Sequence, residues 1–135
     1  MENLSAKNLR LGNSINYNEV VCKVEAISNE YVSVSGYEAN RYIPVKIEDA
    51  KGIVLTKEHL LDSGFWKVYH NLVDIFDKYR LRIYLAQTGA SNVFFTEPNS
   101  TTAHYFISIE YVHELQNLYF AMTGEELTIT KDFTE

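Results

Sequence analysis

The chain has 135 residues, 46% hydrophobic and 22% charged, a composition that excludes long disorder and suits one domain or two small lobes. A formal net charge of −6 sets the overall field against nucleic acid and anionic membrane. A single cysteine excludes an internal disulfide framework, and no run approaches the roughly 20 apolar residues of a membrane span.

The opening, MENLSAKNLRLGN, lacks the basic start and apolar run of a secretory signal, so the expectation is a soluble, cytoplasmic protein. Ten tyrosines and seven phenylalanines lean the chain toward β structure. Leu9, Leu11, Ile15 and Tyr17 lead to a turn at 16–19, and VVCKVEAI then alternates as a strand. Cys22 shares its parity with Val20 and Val24, which predicts a buried, inert thiol. A polar turn at 28–30, YVSVSGY and RYIPVKI follow, with Pro44 suited to a sheet edge or a strand start. Short strands with short turns predict a small SH3-like or meander unit, barrel-like, over residues 1–54.

A helix over 56–63 has readable ends. Thr56 is its N-cap, Glu58 lies in its first turn and Gly64 is its left-handed stop, with Leu60 and Leu61 facing inward. His59 and Asp62, three apart, read as a surface pair of little energetic weight. Residues 66–79 fit a helical period through Val68, Leu72, Ile75, Phe76 and Tyr79. They also read as two short strands about Asn71, which their aromatic and β-branched content favours. YRLRIYLAQ is a clearer strand, with Tyr79, Leu81, Ile83 and Leu85 on one face and Arg80, Arg82 and Tyr84 on the other. A turn at 88–92, VFFT, the polar loop EPNSTT and AHYFISI complete an antiparallel sheet over 65–109.

The closing helix is expected over 109–123, capped by Ser108 and ended by Gly124, with LTIT as a last strand. At about 100° per residue, Tyr111, Val112, Leu115, Leu118, Tyr119 and Met122 fall in an arc of roughly 120°. That stripe is expected to bury against the sheet face carrying Tyr79, Leu81, Ile83, Leu85, Tyr105, Ile107 and Ile109. The fold class is therefore α+β: a β unit over 1–54, and a sheet with a covering amphipathic helix over 55–135. Phe120 falls outside the stripe, beside His113 and Gln116. These three are expected to meet another body: the N-terminal unit, the chain's tail or a partner subunit.

No HExxH, CxxC, GxSxG, Walker or Rossmann pattern is present, so no catalytic residue, metal or cofactor is assigned. Glu110, His113 and Glu114 make one ExxH face where a di-iron bundle uses two, and read as a solvated polar face. The most specific polar feature is Lys78, Arg80, Arg82 and Tyr84. On one strand they would project to one side at steps of about 7 Å. Such a row suits phosphates or an acidic protein surface, with Tyr84 as a stacking platform. Its alternative is the solubilising outer face of a half-buried sheet.

Three segments in order, LRLGNSINYN, IVLTKEHLLDSGF and YVHELQNLYFAMTGEEL, resemble a group of small phage and prophage proteins of gut-type bacteria. That group shares an LRxGN opening, an LTxExLLxxGF segment and a closing YVHxLQNLYFALTGEEL helix. This chain departs from it in an extra polar stretch, VKIEDAKGIV, and residues 66–102 match no part of it. The resemblance carries no activity or cofactor. It implies a phage or prophage accessory protein in the host cytoplasm, a non-enzymatic binder of a host protein or a signalling nucleotide, with counter-defence as one form of that role. The alternatives are a structural, homo-oligomer-forming phage component and an enzyme of unknown type.

Overall fold

A computed structural model describes residues 4–38, 41–68, 74–87, 89–97 and 102–129. Four strands run as an antiparallel meander: β1 (Ser14–Tyr17), β2 (Val20–Ile27), β3 (Tyr31–Glu38) and β4 (Arg41–Lys46). Asn18 and Glu19 join β1 to β2 with φ of 49° and 66°, the left-handed pair whose twist suits a two-residue hairpin. Alternation puts Ile15, Cys22, Val24, Val32, Val34 and Val45 into one core. After β4 a 3-10 turn, Ile47–Asp49, leads the chain back to β1, where Asn16 and Lys51 exchange backbone hydrogen bonds of 2.8 Å each way. The sheet itself stays an open four-stranded meander, with β1 and β4 unpaired to each other among the described residues.

The second sheet follows helix α1 (Lys57–Asp62). It holds β5 (Trp66–Val68), β6 (Asp74–Lys78), β7 (Leu81–Leu85), β8 (Ser91–Thr96) and β9 (Ala103–Ile109), antiparallel and in chain order. The strand reading of 66–79 is met at 66–68 and 74–78, while the turn expected at Asn71 lies outside the described residues. α1 begins as expected at Thr56, whose Oγ1 accepts from His59 N at 3.4 Å. His59 returns the favour through Nδ1, which accepts from Thr56 N at 3.0 Å, so His59 is a buried capping residue rather than a surface one. Leu60 is buried as expected, whereas Leu61 is 52% exposed, because a helix of six residues presents only one narrow face. Gly64 ends α1 at φ 97°, a left-handed backbone that strains any L side chain, so this turn favours glycine.

The chain divides into two compact units, Met1–Val54 with Tyr111–Glu135, and Leu55–Glu110. The second is thus inserted in the first. Its own ends meet, with Leu55 N donating to Glu110 O at 2.9 Å, and the flanking residues meet too, with Val112 N donating to Ile53 O at 2.7 Å. The class is α+β, with two antiparallel sheets and a C-terminal helix packed on a sheet.

That helix, α2 (Val112–Thr123), corrects three expectations. It starts three residues later than predicted, because Ser108 and Ile109 still pair in β9; Tyr111 is the N-cap, and its N–H donates to Glu114 Oε1 at 2.9 Å. It belongs with the first unit and packs on β1, instead of joining the sheet that precedes it in sequence. On the second sheet, Tyr105 and Ile107, expected beneath the stripe, are 59% and 44% exposed. The buried arc is also turned from the one expected: Val112, Leu115 and Tyr119 are buried, joined by His113 and Gln116, while Leu118 and Met122 are half-buried. Gly124 closes α2 as expected, at φ 75° with its N–H on Phe120 O at 2.8 Å. Residues 127–129 form no strand, and Thr130 lies outside the described residues.

Candidate binding surface

The cationic row expected on one strand does not form. Tyr79 and Arg80 are the two-residue turn between β6 and β7, because Lys78 pairs with Leu81. Tyr79 sits at φ 57°, and its side chain, expected in the sheet core, is 59% exposed. Lys78 therefore belongs to β6, and its ammonium donates to Ser63 O at 2.6 Å, at the carbonyl end of α1 where a cation is favoured. Arg80 Nε donates to Thr96 O at 3.2 Å. Arg82 grips Asp77 with a bidentate pair, Nε to Oδ1 and Nη2 to Oδ2, both 2.8 Å. That hydrogen-bonded carboxylate raises the guanidinium pKa further above its ordinary value, against a smaller opposing effect of burial. Each of the three cations thus meets an oxygen of the chain itself.

What the register builds instead is a row that crosses all five strands. Trp66 pairs with Asp77, Asp77 with Arg82, Arg82 with Phe94, and Phe94 with Tyr105. Directly paired residues share a face, so these five stand on one side of the sheet. The adjacent row on that side runs Val68, Ile75, Tyr84, Asn92 and Ser108. Tyr84 leans on Phe94 with ring centroids 4.9 Å apart, and Phe94 meets Tyr105 edge-on at 5.6 Å. Tyr105 Oη, Ser108 Oγ and Asn92 Oδ1 form a chain of 2.8 Å hydrogen bonds. The opposite side carries Phe76, Leu81, Ile83 and Val93, all at or below 1% exposure. The aromatic side is open at its two ends, with Trp66 56% and Tyr105 59% exposed, while between them Tyr84 and Phe94 are half-buried and Ile75 is buried. Chemically it is a row of tilted and edge-on rings, with the satisfied Asp77–Arg82 ion pair between Trp66 and Phe94.

Of the expected residues, Arg82 and Tyr84 lie on this face and Lys78 and Arg80 do not share its rows. Trp66, Asp77, Phe94 and Tyr105 escaped the sequence reading, because their alignment depends on the pairing of distant strands. The alternation in VFFT and AHYFISI is the only local signal of them.

The other expected group lies in the first unit and serves its architecture. Gln116 Oε1 accepts from Ser14 N at 2.8 Å, and its Nε2 donates to Leu127 O at 3.0 Å. Beside it Asn13 Nδ2 donates to Asn117 Oδ1 at 2.8 Å. Arg10 donates to Glu126 at 2.6 and 3.1 Å and to Gln116 O at 3.3 Å, and lies 4.2 Å above the Phe120 ring. Phe120, 38% exposed, is thus the lower half of an Arg10 stack at the margin of the unit. The LRLGN and LQNLYF segments therefore touch each other.

His113 is not on a solvated face. It is 3% exposed, stacked on Tyr111 at 5.8 Å, and close to Gly52, where a Cβ would stand 2.8 Å from the Tyr111 ring. Burial pushes the imidazole below its ordinary value, against Glu114, which raises it. Its Nδ1 has no hydrogen-bond partner among the described residues, beside a polar cavity of about 300 Å³ that Lys7, Asn8 and Asn117 help to line. A larger, open groove of about 750 Å³ runs along β2, lined in part by Val21, Lys23, Glu25 and Thr128. Cys22 is buried as expected, and burial pushes its thiol up, away from the reactive thiolate. No group of three metal-ligating side chains converges among the described residues. No helix among them is long and apolar enough to cross a membrane. No protein-family model, curated protein or solved structure matches the chain.

Proposed function

We propose that this protein is a non-enzymatic binding module that engages a protein partner through the aromatic face of the five-stranded sheet. The observation that carries the reading is the row Trp66, Asp77, Arg82, Phe94 and Tyr105, open at both ends and crossing every strand. Tryptophan, tyrosine and arginine dominate the energetics of protein interfaces, because each combines a large contact area with a polar tip. The geometry favours a protein over a signalling nucleotide. A phosphate clamp needs uncommitted cations, whereas Lys78, Arg80 and Arg82 meet Ser63 O, Thr96 O and Asp77. The resemblance of the opening and closing segments to phage and prophage proteins supports an accessory role in the host cytoplasm, with blockade of a host defence protein as its form.

The test uses the full chain as bait in host lysate, beside a Trp66→Ala, Tyr105→Ala double variant and a Tyr42→Ala control. A protein captured by the wild type and the control, lost with the double variant, and then titrated in pure form by quenching or shift of the single tryptophan's fluorescence, supports the reading. Capture that is indifferent to the double variant overturns it. A nucleotide that co-purifies with the wild type and shifts the same fluorescence would replace it with the small-ligand alternative.

A further inference from the structure

The two sheets have four edges, and three carry a device that blocks further strand pairing. β1 is covered by the backbone of Lys51. β4 carries Pro44, which has no N–H to offer, between Arg41 and Lys46. β5 is three residues long, with Lys67 at its centre bound to Asp74 at 3.0 Å. Short strands, prolines and lysines are the usual means of keeping an edge from pairing with another chain.

β9 is different. It runs for seven residues, AHYFISI, with no proline and no Asp, Glu, Lys or Arg. Among the described residues its only strand partner is β8. Tyr105, Phe106 and Ile107 are 59%, 48% and 44% exposed, so large apolar groups stand open on both faces of one strand. Phe106 is the extra residue of a bulge opposite Val93 and Phe94, and its ring meets Phe95 at 5.0 Å. The bulge adds twist but places no charge on the edge.

We propose that β9 pairs antiparallel with β9 of a second copy of this chain, joining two five-stranded sheets into one. Charge selects a second copy as the occupant. An antiparallel two-fold sets a strand against itself, and a strand with no Asp, Glu, Lys or Arg, whose one imidazole, His104, already meets Glu97 at 3.1 Å, brings no unpaired like charges together. The inserted unit also permits it, since it has five basic and six acidic residues, a net of −1 against −6 for the whole chain. A two-fold normal to the sheet keeps like faces on the same side, so the row ending at Tyr105 would continue into the partner copy's row and double the aromatic surface. This pairing does not rest on the proposed partner protein, and it is measured without one.

The test is the mass of the pure full chain by sedimentation over a wide concentration range, for the wild type, Phe106→Lys, Ile107→Lys and, as control, Tyr42→Lys. The expected result is a dimer for the wild type and the control, and a monomer for the two β9 variants with unchanged circular dichroism. Amide exchange in the wild type gives a second reading that needs no variant: β9 amides should gain protection as concentration rises. A wild type that stays monomeric, a dimer that survives both β9 lysines, or β9 exchange that ignores concentration overturns the proposal. So does a monomer that instead takes up an extended peptide along β9.

Discussion

The two units of this chain settle their polar groups in opposite ways. In the first, the amides of Asn13 and Gln116 are buried and that of Asn117 half-buried, and each finds a partner on a segment remote in sequence. In the inserted unit one sheet face buries Phe76, Leu81, Ile83 and Val93 and keeps Lys67, Asp74 and His104 toward its margins, while the other leaves Trp66 and Tyr105 in solvent around a satisfied ion pair. The contrast separates what holds the protein together from what it shows to others. A buried amide network fixes one docking geometry for α2, since any shift orphans a buried donor. The aromatic row instead leaves large rings in solvent, the kind of exposed apolar surface on which the proposed binding rests. LRLGNSINYN and YVHELQNLYFAMTGEEL lie in the first kind of region, whereas IVLTKEHLLDSGF runs into the inserted unit, and residues 66–102 hold most of the aromatic row.

The strongest way to break this comparison is to hollow out each core in turn. Leu115→Ala and Ile83→Ala, both at 0% exposure, should each cost about 2–5 kcal/mol in denaturant unfolding. With amide exchange as the readout, Leu115→Ala should loosen β2 more than β7, and Ile83→Ala the reverse. Equal loosening of both sheets by either change would show that the units do not act as separate cooperative bodies.

A smaller effect tests the network. Gln116→Leu keeps the volume but leaves Ser14 N–H and Leu127 O without their side-chain partner, and should cost about 1–3 kcal/mol. A neutral outcome would mean that α2 is held by its apolar residues alone.

The pH dependence sharpens the same point. His113 is buried with its pKa depressed, so the folded state binds its proton less readily than the unfolded chain does. Its contribution is therefore full above the ordinary value of 6.5 and is lost as pH falls from there toward the depressed folded value. Unfolding free energies measured from neutral pH downward should fall less steeply for His113→Gln than for the wild type. Identical slopes would remove His113 from the acid response.

The smallest expected change is a gain. Tyr79 holds a left-handed φ of 57° that glycine adopts without strain, so Tyr79→Gly should stabilise the β6–β7 turn by about 1 kcal/mol. A loss would show that the exposed ring contributes more than the strained backbone subtracts.

Much of the fold was legible locally. Thr56 and Gly64 bracket α1, Gly124 ends α2, and the parity of Cys22 with Val24 puts both in the core. These features depend on residues within one turn or one strand, where capping chemistry and side-chain alternation act directly. The candidate surface was legible only in part. Arg82 and Tyr84 were read as outward-facing, but the row they were assigned to is cut by the turn at Tyr79 and Arg80.

By itself, then, the sequence determined the α+β class, most strands, both helix stops and the buried thiol, because short-range hydrogen bonding and alternation specify them. Only the tertiary structure decided that α2 joins the first sheet, that His113 and Gln116 are buried, and that Trp66, Arg82, Phe94 and Tyr105 stand in one line. An amphipathic helix carries a stripe but no address, and a strand carries an alternation but no register. Both are settled by which distant surfaces can satisfy one another's polar groups while burying their apolar ones.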